Sequence, residues 1–313
     1  MKVVVTGALG HIGSHLVRAL PARLPGAEIV MIDNMMTQRY PSLFDLPETG
    51  RYRFVEGDVT KIDLRPLFED ARAVIHLAAI TDAAGSFDKA AQVEANNLEA
   101  TRRVAEASAA VGARLVALSS TSVYGTQEER VDEDCPPEAL KPQSPYAATK
   151  LKEEALVRTL VQGAGLRAMI FRFGTIFGAS PGMRFHTAVN KFCWQAVMGQ
   201  PLTVWKTAYG QMRPYLDVRD AVQAIAFAIE RDLFDGTVYN ALTLNATVRE
   251  IVETIRAQVP DLTVTMVDSP IMNQLSYEVS AARIRGKGLA FAGDLDRGIS
   301  ETVALLRRAN TPS

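Results

Sequence analysis

The sequence predicts an α/β protein: a doubly wound parallel sheet, followed by a smaller α/β C-terminal domain that would hold substrate. Three observations carry this reading. Short β-branched runs alternate with helical patterns through the first half of the chain. Those runs are apolar on both faces, as strands covered by helices on both sides must be. A glycine-rich turn joins the first run to the first helical pattern, which is how parallel strand–helix–strand units begin.

The elements follow in order. Lys2–Thr6 reads as a strand and Ile12–Leu20 as a helix. Further strands are expected at Glu28–Ile32, Arg53–Glu56, Ala73–Leu77 and Arg114–Ser119, with helices at Ile62–Glu69 and Gln92–Val111. Tyr146–Gln162 starts just after Pro145 and reads as a helix; Arg167–Arg172 is a further strand. Near residue 175 the texture changes. Gly178, Pro181, Gly182, Gly199, Pro201, Gly210 and Pro214 break the chain into short pieces. The expected division is therefore 1–175 and 176–313, with the stretch 218–240 able to return to the first unit.

Composition narrows the function classes. A formal charge of −1 over 313 residues gives no global basic field for nucleic acid or anionic lipid. The apolar run at residues 3–5 breaks at Thr6-Gly7, too short for a signal peptide or a membrane span. Cys135 and Cys193 form no ligand spacing and no disulfide framework, so a reducing cytoplasm is expected. His11, His15, His76 and His186 offer no metal set: His11 and His15 share a helix face but lack a third ligand.

Gly7, Gly10 and Gly13 give G-x-x-G-x-x-G between a strand and a helix. Glycine permits the sharp turn, and the absent side chains let backbone N–H groups reach a pyrophosphate at the helix N-terminus. Asp33 ends the second strand, 20 residues after Gly13, where a carboxylate binds a ribose 2′-hydroxyl. It would repel a 2′-phosphate, so NAD is expected rather than NADP, with Arg39 nearby as the counter-argument.

Tyr146 and Lys150 stand four apart, on one face of a helix. A lysine ammonium lowers a tyrosine pKa, so the pair supplies a base for an alcohol. Ser120 ends a buried strand at the sheet's carboxyl edge, placed to bond the reacting oxygen. Gly178-Ala179-Ser180-Pro181-Gly182 fits the nucleophile elbow of serine hydrolases, but Pro181 has no N–H to supply an oxyanion hole, so it reads as a turn.

With these motifs in order, the chain resembles the extended short-chain dehydrogenase/reductases, of the nucleotide-sugar epimerase/dehydratase type. The matches are Thr6–Gly13, Gly57-Asp58-Val59, His76-Leu77-Ala78-Ala79, Asn96-Asn97, Ser119-Ser120, Val123-Tyr124-Gly125, Ser144–Lys150 and Arg213–Asp220. The resemblance implies a Rossmann-type sheet, bound NAD, and Ser120, Tyr146 and Lys150 as catalytic. It implies a cofactor site of Gly7, Gly10, His11, Ile12, Gly13, Asp33, Asn34, Asp58, Val59, Leu77, Ala78, Ala79, Thr81, Asn97 and Ser119, with Tyr146 and Lys150. A nucleotide-diphosphate sugar would meet Ser120, Thr121, Thr175, Arg184, Asn190 and Arg213.

The residues beside Ser120 sort the reaction within that family. Dehydratases look like Thr-Asp-Glu here, and decarboxylases place a Glu two positions on. Thr121 and Ser122 carry no carboxylate, which resembles 4-epimerases and simple C4 oxidoreductases. Ser269-Pro270-Ile271-Met272-Asn273 stands roughly where 4-epimerases acting on uridine sugars carry Arg-Pro-Gly-Asp. Three functions remain: 4-epimerase, 4-dehydrogenase or ketoreductase, and non-catalytic dinucleotide sensor. Family helices matching Gln92–Val111 and Tyr146–Gln162 pair between subunits, so a homodimer is expected, its face carried by Ala100, Val104, Ala107, Leu151 and Ala155.

Overall fold

A computed structural model describes residues 1–81, 89–268 and 276–309. The first unit runs β1 (Lys2–Thr6), α1 (His11–Arg23), β2 (Glu28–Asp33), β3 (Arg51–Glu56), α2 (Arg65–Phe68), β4 (Ala71–His76), α3 (Ala90–Val111), β5 (Arg114–Ser120), α4 (Pro145–Ala164) and β6 (Ala168–Phe173). Then come β7 (Thr175–Phe177), α5 (Ala188–Val197), β8 (Leu202–Trp205), β9 (Met212–Asp217), α6 (Val218–Glu230), β10 (Val238–Ala241), β11 (Leu244–Thr247), α7 (Val248–Gln258), β12 (Val264–Val267), α8 (Ala282–Gly286) and α9 (Leu295–Arg307).

Seven strands form one parallel sheet in the order β10-β6-β5-β4-β1-β2-β3. The chain winds outward from β1 through β2 to β3, then returns to place β4 on the other side of β1. That reversal opens a crevice at the carboxyl ends of β1 and β4, where doubly wound sheets bind ligands. The apolar runs sit where two-sided burial puts them: Val3, Val4 and Val5 are fully buried, in clusters on opposite sheet faces. β10 pairs with β6 through Val238↔Ile170 to Ala241↔Phe173, so the chain re-enters the large sheet after the short β7–β9 pieces. Outside that sheet, β9 lies between β7 and β11, β12 pairs with β8, and α5, α7 and α9 pack into a separate apolar cluster.

Two expectations change. The helix expected at Ile62–Glu69 shrinks to Arg65–Phe68. The backbone N–H groups of Lys61 and Ile62 both donate to the Asp58 carbonyl, so the first part of that stretch is a turn. The expected pairing face is also altered. Ala100, Val104 and Ala107 point inward and are buried in the core beneath α3, because that face of the helix covers the sheet. Of the five residues, Leu151 is half-buried and Ala155 exposed. Among the described residues no helix is long and apolar enough to cross a membrane.

Candidate active site

The glycine turn is closed by steric necessity. Gly7 has φ +65°, and a Cβ there would lie 2.6 Å from the Ala78 amide nitrogen. A Cβ on Gly13 would lie 2.4 Å from the Gly7 carbonyl oxygen. Gly10 caps α1 without a side-chain partner, and the first turn of α1 holds no acidic residue. The first N–H groups of a 13-residue helix therefore face the crevice with the positive end of its dipole. That is a fit for a dinucleotide pyrophosphate.

Asp33 stands at the end of β2. Its carboxylate accepts from the backbone N–H groups of Leu9 (3.1 Å) and Met35 (3.0 Å), which fix it facing the crevice. Asp58 accepts from Thr60 through both the backbone N–H and the hydroxyl.

One cavity of about 550 Å³ runs from the glycine turn to the C-terminal unit. Gly7, Gly10, His11, Ile12, Gly13, Asp33, Asn34, Asp58, Val59, Leu77, Ala78, Ala79, Thr81, Ser119, Ser120, Thr121, Tyr146, Lys150, Thr175, Arg184 and Arg213 all line it. Two expected contacts do not. Asn97 is buried, and its amide is spent on both backbone groups of Ile80, at 2.8 and 2.9 Å. Asn190 is buried at the start of α5, accepts from Gly178 N–H and donates to the carbonyls of Gly178 and Arg184. Both hold the backbone in shape around the cavity. The stretch Ser269–Asn273 lies outside the described residues.

Ser120, Tyr146 and Lys150 come together through α4 and β5. Ser144 caps α4, accepting from Ala147 N–H at 3.1 Å, and Pro145 opens the helix. This sets Tyr146 in the first turn and Lys150 one turn later. The Lys150 ammonium lies 5.7 Å from the centre of the Tyr146 ring. It donates to the Leu118 carbonyl at 3.0 Å and to Glu153 at 2.9 Å. Burial raises the Tyr146 pKa above the ordinary tyrosine range, against the pull of Lys150. Burial works to lower the Lys150 pKa, but Glu153 and Tyr146 oppose it and leave the group raised, a charged ammonium. The Ser120 oxygen accepts from the Ser122 N–H (3.2 Å) and hydroxyl (2.9 Å). With both bonds received, its own proton remains to donate into the cavity.

The Gly178–Gly182 stretch is a strap over the glycine turn. Gly182 donates to the Ser14 hydroxyl at 2.9 Å, and a Cβ there would strike the Leu9 carbonyl at 2.2 Å. Arg39 donates to the Gly182 carbonyl at 2.6 Å, and His11 bonds the Gly178 carbonyl at 2.9 Å. Ser180 is buried in this strap, next to Pro181, which has no N–H to form an oxyanion hole. Burial lowers the pKa of His11 to about 4 and that of His76 to about 3, so both are neutral.

Residues 3–241 match the profile of the NAD dependent epimerase/dehydratase family. The chain belongs to that family. It is 30% identical over 249 residues to a Bacillus subtilis protein described as an uncharacterized UDP-glucose epimerase, covering 77% of this chain and 76% of that one. A UDP-glucuronic acid 4-epimerase from Bacillus cereus, solved with UDP-glucuronic acid and NAD, superposes with a TM-score of 0.88 at 26% identity, over 99% of this chain and 100% of its own. MoeE5, solved with the same two ligands, superposes at 0.86 with 28% identity, over 99% and 100%.

Within this epimerase/dehydratase fold the cavity gains residues that sequence patterns did not single out. Tyr277, His186 and Lys191 line its far end. His186 and Lys191 flank the start of α5 and Tyr277 comes from a distant segment, so no motif spacing joins the three. Trp205 at the end of β8 also lines it.

Proposed function

We propose that the protein is a nucleotide-sugar 4-epimerase that works through a transient 4-keto sugar, with UDP-glucuronic acid as the first substrate to test. The observation that carries this is the Ser120–Tyr146–Lys150 constellation on a cavity whose reacting end holds no carboxylate among the described residues. Among the described residues the acidic side chains lining the cavity are Asp33, at the end of β2, and Asp58, just after β3, whereas Arg184, Lys191 and Arg213 line the other half. Cations without carboxylates suit a diphosphate and tolerate a negatively charged sugar. Dehydration or decarboxylation would call for an added acid or base beside Ser120, where Thr121 and Ser122 stand instead. Thr121 donates to the Phe173 carbonyl at 3.3 Å and acts as a wall.

Bound NAD supplies the hydride acceptor. Tyr146, favoured as phenolate by Lys150, takes the proton of the 4-hydroxyl. Ser120 donates to the same oxygen and steadies it as it becomes a carbonyl. Tyr146 then returns its proton when the alcohol re-forms, so no proton need leave the site. The strap over the glycine turn supports a retained cofactor, which a 4-epimerase requires and a product-releasing dehydrogenase does not. We also propose a cytoplasmic homodimer, in which α3 and α4, joined by an ion pair between Lys152 and Glu94, meet the same two helices of a second copy.

Incubating the NAD-loaded protein with UDP-glucuronic acid and with UDP-glucose, followed by product NMR and absorbance of reduced NAD, tests this. A mixture of C4 epimers without accumulating reduced NAD is expected. A 4-keto product with matching reduced NAD would make it a dehydrogenase. Binding without any change would make it a sensor.

A further inference from the structure

Glu153 sits directly behind the catalytic lysine. It occupies the buried face of α4, one turn beyond Lys150, and is 5% exposed. One carboxylate oxygen, Oε2, accepts from the Lys150 ammonium and from the Thr101 hydroxyl of α3, each at 2.9 Å. The other, Oε1, meets no donor among the described residues. Thr101 has one proton and gives it to Glu153, so its oxygen accepts from His76 Nε2 at 3.3 Å. His76 Nδ1 then accepts from the Thr6 hydroxyl at 2.8 Å. A buried chain of hydrogen bonds thus runs from β1 through β4 and α3, and every donor in it points toward the Glu153 carboxylate.

We propose that Glu153 is a positioning residue for the base: as the buried counter-ion of Lys150 it pins the ammonium and cancels part of the charge that Lys150 presents to Tyr146. The proposal rests on the C4 reading for its purpose but not for its measurement. Pinning follows from the count of donors. Two of the three ammonium protons go to Leu118 and Glu153, which leaves the third for the cavity side. The charge effect follows from burial. A carboxylate paired to a cation away from water cancels much of the field that the cation casts on its neighbours. Tyr146 feels Lys150 and Glu153 from its own helix and Arg184 from the segment before α5. His76, at the end of β4, is neutral and adds no opposing charge. Glu154, the next residue, is committed to Arg172 on β6 by two hydrogen bonds of 2.8 Å.

This arrangement moderates the base. A phenolate held too stable by an unopposed lysine would return a proton readily but take the sugar proton poorly. An epimerase must do both in each turnover.

The test titrates Tyr146 directly. The near-ultraviolet phenolate absorbance of the NAD-loaded protein is followed against pH, and the same titration in Tyr146→Phe is subtracted. Glu153→Gln is expected to lower the Tyr146 midpoint by on the order of one pH unit. Glu153→Asp keeps the charge but draws it back by one methylene, so its midpoint should fall between the two and restore part of the unmodified behaviour. Should Glu153→Gln fail to fold, the Glu153→Asp shift alone decides. An unchanged or raised midpoint in the folded variants would overturn the proposal. The titration needs no sugar turnover, so it stands even if the C4 reading fails.

Discussion

The two halves of the cavity are built from different materials. The cofactor half is mostly backbone: a glycine turn, the open end of α1, and a strap from residues 178–182. The half around Tyr146 is mostly side chains, and it is backed by buried ion pairs: Lys150 with Glu153, and Arg172 with Glu154. Backbone sites resist the loss of any one side chain, since peptide groups do the holding. Sites made of buried charge do not, because removing one partner strands the other in a medium that solvates it poorly. Single truncations should therefore hurt far more in the reacting half.

The largest expected effect is on Tyr146. Tyr146→Phe removes the hydroxyl proposed to carry the proton and leaves the cavity wall, so kcat should fall on the order of 10²–10⁴-fold while NAD binding by calorimetry stays unchanged. Full activity would show that the reacting half does not depend on that side chain.

Next comes the second buried pair. Glu154 accepts two bonds from Arg172 and one from Ser119 at 2.6 Å, and the Arg172 guanidinium stacks 5.0 Å from the Tyr124 ring centre. Glu154→Ala strands the guanidinium, so urea denaturation should show a loss of about 3–5 kcal/mol. A loss under about 1 kcal/mol would mean that water reaches the cluster and that the contrast is overstated.

Acid should weaken the fold through the neutral histidines. The pKa of buried His11 and of buried His76 in the folded protein lies below the unfolded value of 6.5. Between 6.5 and the folded values the unfolded chain binds more protons, so stability falls as pH drops through that window and levels off below it. Each histidine contributes about 1.4 kcal/mol per pH unit, or roughly 2 kcal/mol between pH 6.5 and 5. His76→Gln should flatten that slope by about half in denaturation at several pH values. An equal slope in the variant would mean that His76 is already protonated in the fold.

The last effect belongs to the half beside the glycine turn. Asp33→Ala removes a carboxylate that accepts from Leu9 and Met35 and faces the crevice. Calorimetry should show NAD binding weakened by roughly 1.5–3 kcal/mol and the preference over NADP narrowed. Abolished binding would show that a side chain, not the turn, carries that half.

The same contrast explains what could be read from the sequence. Backbone function leaves local marks. Gly7, Gly10 and Gly13 show at a fixed spacing, and Asp33 sits a fixed distance beyond, because a turn and a strand end are local structures. Tyr146 and Lys150 were legible for the same reason, since one helix turn joins them. Tyr277 was not, because tertiary folding alone brings it to the cavity, and His186 and Lys191, though close in sequence at the start of α5, form no motif that marks them. Asn97 and Asn190 read as ligand contacts, yet burial turned both onto neighbouring backbone, and an amide spent on Ile80 or Gly178 looks the same in sequence as one that meets a cofactor. Ala100, Val104 and Ala107 read as a pairing face, but a small apolar residue on a helix fits a sheet as well as a partner.

The central claim is transient oxidation at C4, and labelled hydrogen tests it most directly. UDP-glucuronic acid carrying deuterium at C4 is given to the NAD-loaded protein in ordinary water, and the product is read by NMR. The account predicts a C4 epimer that keeps its deuterium at C4, with no other carbon gaining hydrogen from solvent. Loss of the label to water in an epimerised product would contradict it.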